Sequence, residues 1–195
     1  MIRRVVLVAA LATLGACHTL PPPAAIPSAD TRALLVAVGD WRARGRVAVR
    51  AANEGFSASF DWRESAGTGE IDVRGPLGAG SAHITRSAAA VRIETGGHPP
   101  LEVAAPFDSL EAELTARLGF PLPIEPLRYW LLGVPDPAAP SEATATGFTQ
   151  AGWTVTLSAF APVAAAPAPL PGRLTLSRAG TEIRVLVSTW QVGAP

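Results

Sequence analysis

Apolar and polar residues alternate with a period of two over most of the chain, which predicts strands with one apolar and one polar face. Residues 56–63 show the pattern most clearly, because Phe60 and Trp62 fall on one side and Asp61 and Arg63 on the other. Similar segments recur at even spacing, separated by Gly, Pro or Ala-Ser, around residues 71–73, 84, 91–93, 101–103, 148, 153–157, 174–176 and 183–187. The pattern predicts an antiparallel meander of the kind found in barrels and sandwiches.

Two segments have helical spacing instead. The first carries a stripe that we interpret as core packing, made of Leu34, Leu35, Val38 and Trp41. Asp30 is the predicted cap of this helix. The second helix is predicted over residues 108–119, where Asp108 and Glu111 have the spacing of a capping box and Gly119 follows the last turn. Its apolar face is formed by Leu110, Leu114 and Leu118, and Glu113 is expected to pair with Arg117.

The stretch 118–133 is apolar and interrupted by prolines. Pro126 suits the first turn of a short helix, and Gly133 suits its end. The large side chains of this helix spread round most of its circumference: Leu127, Tyr129, Trp130, Leu131 and Leu132. Such a helix needs apolar contacts on more than one side. Two interpretations stay open, a plug at one end of a β-core and a movable cover over an apolar cavity.

Composition favours one folded domain, which we place at residues 31–195. The chain has 195 residues, of which 48% are apolar, enough for a substantial core. The formal net charge is zero and all sixteen cations are arginine, without a basic cluster. Nucleic acid is therefore not an expected partner.

The first residues predict a secreted, lipid-anchored protein. Arg3 and Arg4 precede a short apolar run, and Leu14-Gly15-Ala16-Cys17 resembles a bacterial lipobox. We therefore predict a signal peptide at residues 1–16 and lipidation of Cys17, the alternative being an ordinary signal with a chance cysteine. Residues 17–30 would form the acylated N-terminus and a proline-rich tether. The resemblance to bacterial lipoproteins, with histidine and not aspartate after the cysteine, implies the outer membrane, facing the periplasm.

Signatures of catalysis and of cofactor binding are missing from the sequence. It contains no G-x-S-x-G elbow, P-loop or H-E-x-x-H motif. Its single cysteine and three scattered histidines argue against a metal site. The glycine-rich residues 75–80 are flanked by strand patterns on both sides, so they lack the helix N-terminus that would hold a phosphate. We expect neither an enzyme nor a cofactor.

Short motifs throughout the chain resemble the bacterial outer-membrane lipoprotein receptor family, LolB. They are Trp41 with Gly45-Arg46-Val47, Phe60-Asp61-Trp62, Gly75-Pro76-Leu77-Gly78, Leu118-Gly119-Phe120-Pro121-Leu122-Pro123, Trp130-Leu131-Leu132-Gly133-Val134-Pro135, Gln150-Ala151-Gly152-Trp153 and Trp190. The resemblance spans nearly the whole chain after Cys17. Glycine at position 75 and an Ala/Pro-rich segment at 161–172, expected to be an exposed loop, depart from the family pattern.

The resemblance implies a mainly β fold with helices, an incomplete (half-open) antiparallel β-barrel of about eleven strands with an α-helical lid over an apolar cavity. It implies a monomer that accepts lipoproteins from a soluble periplasmic carrier protein and inserts them into the inner leaflet of the outer membrane. The expected partners are that carrier, the acyl chains of substrate lipoproteins and outer-membrane lipid. Pro76, Leu77 and Gly78 would form the membrane insertion loop. Candidate cavity and lid residues are Phe60, Trp62, Val73, Trp130, Leu131, Trp153 and Leu157.

Two other classes of protein remain open. A structural or assembly lipoprotein of the outer membrane would have the same anchor but a solidly packed interior without a ligand cavity. A carrier related in fold would have the cavity but an ordinary cleavage site. Cys17 disfavours the carrier.

Overall fold

Eleven antiparallel strands form one sheet in the computed structural model of the chain, which describes residues 27–51, 54–76 and 80–193. The strands are β1 (Trp41–Ala51), β2 (Glu54–Ser65), β3 (Thr68–Arg74), β4 (Ser81–Arg86), β5 (Ala90–Thr95), β6 (Leu101–Ala104), β7 (Ser141–Thr144), β8 (Gly147–Gln150), β9 (Trp153–Ala161), β10 (Leu170–Arg178) and β11 (Thr181–Val192). Their order is β6-β5-β4-β3-β2-β1-β11-β10-β9-β8-β7. The antiparallel meander predicted from the alternating pattern and the eleven strands implied by the family resemblance are both confirmed.

The first and last strands meet in the middle of the sheet, and β6 and β7 are its two edges, so the barrel stays open. The pairing of β1 with β11 shifts register between Arg44 and Gly45, as at a β-bulge. A Cβ atom at position 45 would lie 1.9 Å from the carbonyl oxygen of Leu186, so only glycine fits there. Bulges bend and twist strands, and this one adds to the curvature that makes one face of the sheet concave.

The first helix, α1 (Ala29–Val36), begins and ends earlier than predicted. Its cap is Ser28, whose Oγ accepts a hydrogen bond from the N–H of Thr31 at 3.3 Å, so the assignment of Asp30 was wrong. Trp41 is the first residue of β1, because pairing with β2 and β11 holds it in the sheet. Of the predicted stripe, Leu35 is buried while Leu34 is 59% exposed.

Two further helices cross between β6 and β7. The first, α2 (Leu110–Leu118), follows a 3-10 turn at Phe107–Ser109, so Asp108 lies before the helix and the capping box does not form. Gly119 ends the helix as predicted, with a φ of +81°. Arg117 donates to the carbonyl oxygen of Pro99, which is the contact observed in place of the predicted pair with Glu113.

The short proline-containing helix is α3 (Ile124–Leu131). Pro126 lies in its first turn and Gly133 follows its end with a φ of +83°, as the sequence predicted. The amide of Gly133 donates to the carbonyl of Trp130, and that of Val134 to the carbonyl of Tyr129. These bonds satisfy carbonyls that a helix end would otherwise leave free.

The predicted loop at 161–172 is shorter than expected. Ala161 is the last residue of β9, and β10 already starts at Leu170, which is buried. Val163, Ala166 and Ala168 pack against the core from the connection between these strands. These three apolar side chains hold the otherwise exposed Ala/Pro-rich segment against the core.

Candidate functional site

An apolar cavity of about 480 Å³ lies between the concave face of the sheet and the two crossing helices. Strands β1 to β5 and β11 form one wall, and α2, α3 and the segment that joins them form the other. Among the described residues, Arg117 is the one that brings a charge to the lining. The volume falls within the ~300–1,000 Å³ typical of pockets for small ligands.

The pairing register explains how alternating strands build this wall. Trp62 pairs with Ile71, Ile71 with Ile84, and Ile84 with Ile93, so one row of large apolar side chains crosses four strands. The next row contains Phe60, Val73 and Ala82 in register. Because residues two apart on a strand share a face, β2, β3 and β4 each contribute to both rows. The small side chain of Ala82 leaves space that a larger residue would fill.

Four of the predicted cavity and lid residues line this space: Phe60, Trp62, Val73 and Leu131. They come from β2, β3 and α3, which the fold brings together. Their role in holding acyl chains stays a prediction.

Trp130, Trp153 and Leu157 are not part of this lining and are buried in the packed half of the molecule, and their role in holding acyl chains also stays a prediction. Trp130 is fully buried, contacts Phe148 edge to face at 6.2 Å between ring centroids, and donates from Nε1 to Oε1 of Gln150 at 2.8 Å. Trp153 and Leu157, both on β9, share the inner face of the sheet with the cavity residues. However, α3 docks its Trp130 side against β8 to β10 and fills that half solidly.

The lining also includes residues that sequence reasoning did not assign to the site, chiefly Phe56, Leu114, Leu118, Phe120 and Leu122. The apolar stretch 118–133 contains both the helix α3 and the residues that lead into it. Phe120 and Leu122 precede the helix. The sequence signal for these two lining residues is that each is a large apolar side chain between turn-forming residues, in Gly119-Phe120-Pro121-Leu122-Pro123.

The exposed residues of the lining are Gly55, Phe56 and Gly119, so the cavity opens at the end of the sheet where β1 ends and β2 begins. Phe56, near the start of β2, is 41% exposed and stacks on Phe120 at this mouth. The β3–β4 connection begins with Gly75, whose amide donates to the carbonyl of Gly80 at 2.9 Å, and with the exposed Pro76. Leu77 and Gly78 lie outside the described residues, as does Cys17.

A buried ion pair lies beyond Trp62, at the opposite end of the cavity. Glu64 and Arg86 are each 4% exposed and bond to one another, and Trp62 donates from Nε1 to Glu64 at 2.8 Å. Glu125 of α3 lies near this pair. Burial raises the pKa of Glu125, and the positive charges of Arg86 and Arg128 only partly oppose that shift. Its Oε1 is buried without a hydrogen-bond partner among the described residues.

Other kinds of site are not formed by the described part of the chain. There, no group of three or more His, Cys, Asp or Glu side chains is placed to hold a metal ion. His83 lies on β4 with Nδ1 3.2 Å from Asp72, and His98 lies in the β5–β6 connection. No helix within residues 27–51, 54–76 and 80–193 is long and apolar enough to cross a membrane.

Comparison with known proteins gives concordant results. The family model described as "Outer membrane lipoprotein LolB" matches residues 39–190. The outer-membrane lipoprotein LolB of Alkalilimnicola ehrlichii is 35% identical, over 95% of this chain and 96% of that protein. The outer-membrane lipoprotein LolB of Thiobacillus denitrificans is 33% identical, over 97% of this chain and 98% of that protein.

A solved structure shares the fold at low sequence identity. It is a LolA superfamily protein from Nitrosomonas europaea, with a TM-score of 0.51 and 9% identity, and the match covers 85% of this chain and 94% of that one. At that identity the likeness concerns the fold alone. It agrees with the half-open barrel expected from the sequence.

Proposed function

The chain belongs to the LolB family of outer-membrane lipoproteins, and from that premise we propose that it is a membrane-anchored lipoprotein receptor. It accepts lipoproteins from a soluble periplasmic carrier, shelters their acyl chains and inserts them into the inner leaflet of the outer membrane. The observation that carries this proposal is the apolar cavity of about 480 Å³ under the half-open barrel. It acts as a monomer, and the transfer needs neither catalysis nor a cofactor.

The energetics of acyl burial support transfer without an energy source. Each methylene removed from water is worth ~0.8 kcal/mol, so about ten sheltered methylenes recover ~8 kcal/mol. A bilayer buries acyl chains completely, whereas a cavity with an open mouth leaves part of them near water. The final step to the membrane is therefore downhill, and the receptor has only to keep the chains covered until its mouth meets the bilayer.

The cavity also distinguishes this function from that of a purely structural lipoprotein. A structural β-domain is expected to pack its inner face solidly, as this chain does around Trp130 and Trp153. The half that contains Trp62 and Val73 is left open instead. An empty apolar volume lowers stability, so its presence favours a ligand.

The anchor is part of the proposal and rests on the sequence. We propose that Cys17 is the lipidated N-terminus and that residues 19–27, which end at the Ser28 cap of α1, are the tether, which at ~3.1 Å per residue spans about 28 Å. Cys17→Ser should abolish incorporation of labelled palmitate, and a labelled variant would contradict the assignment.

Transfer itself is the test of the function. A carrier loaded with a radiolabelled lipoprotein is mixed with liposomes that bear the anchored chain, and label should move to the liposomes only when the chain is present. Ala82→Trp fills the cavity from its wall, so it should block transfer. Ala48→Trp places the same side chain on the exposed face of β1 and should transfer normally.

Two results would contradict the proposal. One is label that stays on the carrier with the natural chain. The other is normal transfer by a folded Ala82→Trp variant, because the cavity would then not be the path.

A further inference from the structure

Arg117 places a charged side chain in the apolar wall of the cavity. It lies in the last turn of α2 and contributes to a lining that is otherwise apolar or glycine among the described residues. Its Nη2 donates to the carbonyl oxygen of Pro99. Its Nη1 is buried and has no hydrogen-bond partner within the described ranges. A buried donor left unpaired is unfavourable, and such groups in folded proteins usually have a partner.

A purely structural role explains only part of this arrangement. A cation in the last turn of a helix interacts favourably with the helix dipole, and the bond to Pro99 ties α2 to the β5–β6 connection. Both effects would be served by an arginine whose remaining donors face water. Arg117 instead keeps Nη1 covered at the edge of an apolar space.

The position of Arg117 matches the head of a bound lipid. Three residues further along, Phe120 stacks on the partly exposed Phe56, so Arg117 lies at the mouth end of the cavity. A ligand whose hydrocarbon chains fill the cavity leaves its polar head at that mouth. In a diacylglyceryl group the atoms next to the hydrocarbon are ester carbonyls, which accept hydrogen bonds and carry no charge. A guanidinium has five N–H donors and suits such acceptors.

We propose that Arg117 binds the ester carbonyl oxygens at the head of a diacylglyceryl ligand, so that the site recognises the junction between the acyl chains and the polypeptide of its substrate. This proposal rests on the proposed function. It predicts a preference that hydrocarbon burial alone cannot produce, because an ester and an ether of equal chain length bury the same chains but only the ester offers carbonyl oxygens.

The test compares two synthetic ligands on the full chain carrying Cys17→Ser, which removes competing acyl groups. One ligand is a cysteine peptide with a dipalmitoylglyceryl thioether, and the other is its dihexadecyl ether analogue. Affinities are measured by quenching of tryptophan fluorescence below the ligands' aggregation concentrations. The chain should bind the ester about tenfold more tightly than the ether, as expected for a hydrogen bond to a charged donor.

Arg117→Leu should lose this preference while keeping its affinity for the ether, and Arg117→Lys should keep part of the preference. Arg128→Leu makes the same change on α3, where the guanidinium stacks on Tyr129, and should keep the full preference. The melting temperature of each variant shows whether the fold survives.

Several outcomes would overturn the proposal. An equal affinity of the natural cavity for ester and ether would do so, as would an ester preference that persists in Arg117→Leu. A variant that melts earlier and loses both ligands equally would assign Arg117 a structural role only. If neither ligand bound the chain with arginine at 117, the proposed function would be rejected and this inference with it.

Discussion

Phe120 stacks on Phe56 across the mouth of the cavity, with ring centroids 6.4 Å apart and ring planes inclined by 28°. Phe56 belongs to β2, whereas Phe120 belongs to the segment between α2 and α3. The contact therefore joins the sheet to the segment between the two covering helices at the mouth of the cavity. Phe56 is 41% exposed, so this stack lies at the surface of the molecule.

Removal of one ring should speed ligand exchange. An aromatic pair is worth ~0.5–1.5 kcal/mol beyond its burial, so Phe120→Ala should raise the rates of acyl-chain uptake and release by roughly two- to tenfold. Stopped-flow fluorescence with a labelled fatty-acyl peptide measures both rates. Phe107→Ala removes a ring from the 3-10 turn, outside the cavity lining, and should leave them unchanged. Equal rates in all three proteins would show that the stack does not control the mouth.

Leu77 is expected to act in delivery and not in folding. It follows the exposed Pro76 at the mouth end of the barrel, and burial of one leucine side chain in a bilayer is worth ~1.5–3 kcal/mol. Leu77→Glu should therefore keep the melting temperature and the uptake of lipoprotein but fail to pass it to liposomes. Ala88→Glu, in the exposed β4–β5 turn at the other end of the sheet, should deliver normally. Unfolding or normal delivery of Leu77→Glu would contradict this prediction.

Gln150 holds the C-terminal end of α3 in place. Its Oε1 accepts from Trp130 Nε1 and from the amide of Asp136, and its Nε2 donates to the carbonyls of Asp136 and Ala139, all at 2.8 Å. Gln150→Leu leaves these groups without partners and should lower the free energy of unfolding by ~3 kcal/mol, measured in urea. Thr149→Val, the neighbouring residue on β8, should change it little. If Gln150→Leu lowered the free energy of unfolding by no more than Thr149→Val does, water would have to replace the amide, and the prediction would be contradicted.

The Glu64–Arg86 pair should be costly to break on one side only. Arg86→Leu leaves a carboxylate buried without its cation, so the free energy of unfolding should fall by ~3–5 kcal/mol. The double variant Glu64→Leu/Arg86→Leu removes both charges and should lose much less than the sum of the single changes. Urea unfolding of the four proteins gives the coupling energy. Additive losses would contradict the buried pairing.

Glu125 should make stability decrease as the pH rises. Burial raises its pKa in the folded protein above the ordinary value of 4.5, so between the two pKa values the folded state binds more protons than the unfolded state. The resulting penalty is small at pH 4 and complete above the raised pKa. Glu125→Gln should therefore gain stability over the natural chain at pH 7 but not at pH 4. Glu113→Gln, an exposed change on α2, should show no such difference, and a gain that is equal at both pH values would contradict the prediction.

Local patterns in the sequence determined the strands, the identity of their inner face and the ends of α3. Alternation placed Phe60, Trp62 and Val73 on one face because successive side chains on a strand point to opposite sides. Pro126 and Gly133 marked the first turn and the end of α3 through their own backbone preferences. These properties depend on neighbours within a few residues, so no knowledge of the tertiary structure was needed.

The tertiary structure alone decided where the inner face stays open. Trp62 and Trp153 have the same local pattern, but α3 packs over β8 to β10 and leaves free the wall of β1 to β5. The pairing of β1 with β11, the burial of Glu64 against Arg86 and the placing of Arg117 at the mouth also join residues far apart in sequence. A periodic pattern states which side of an element is apolar. Which other element covers that side depends on how all the elements pack together.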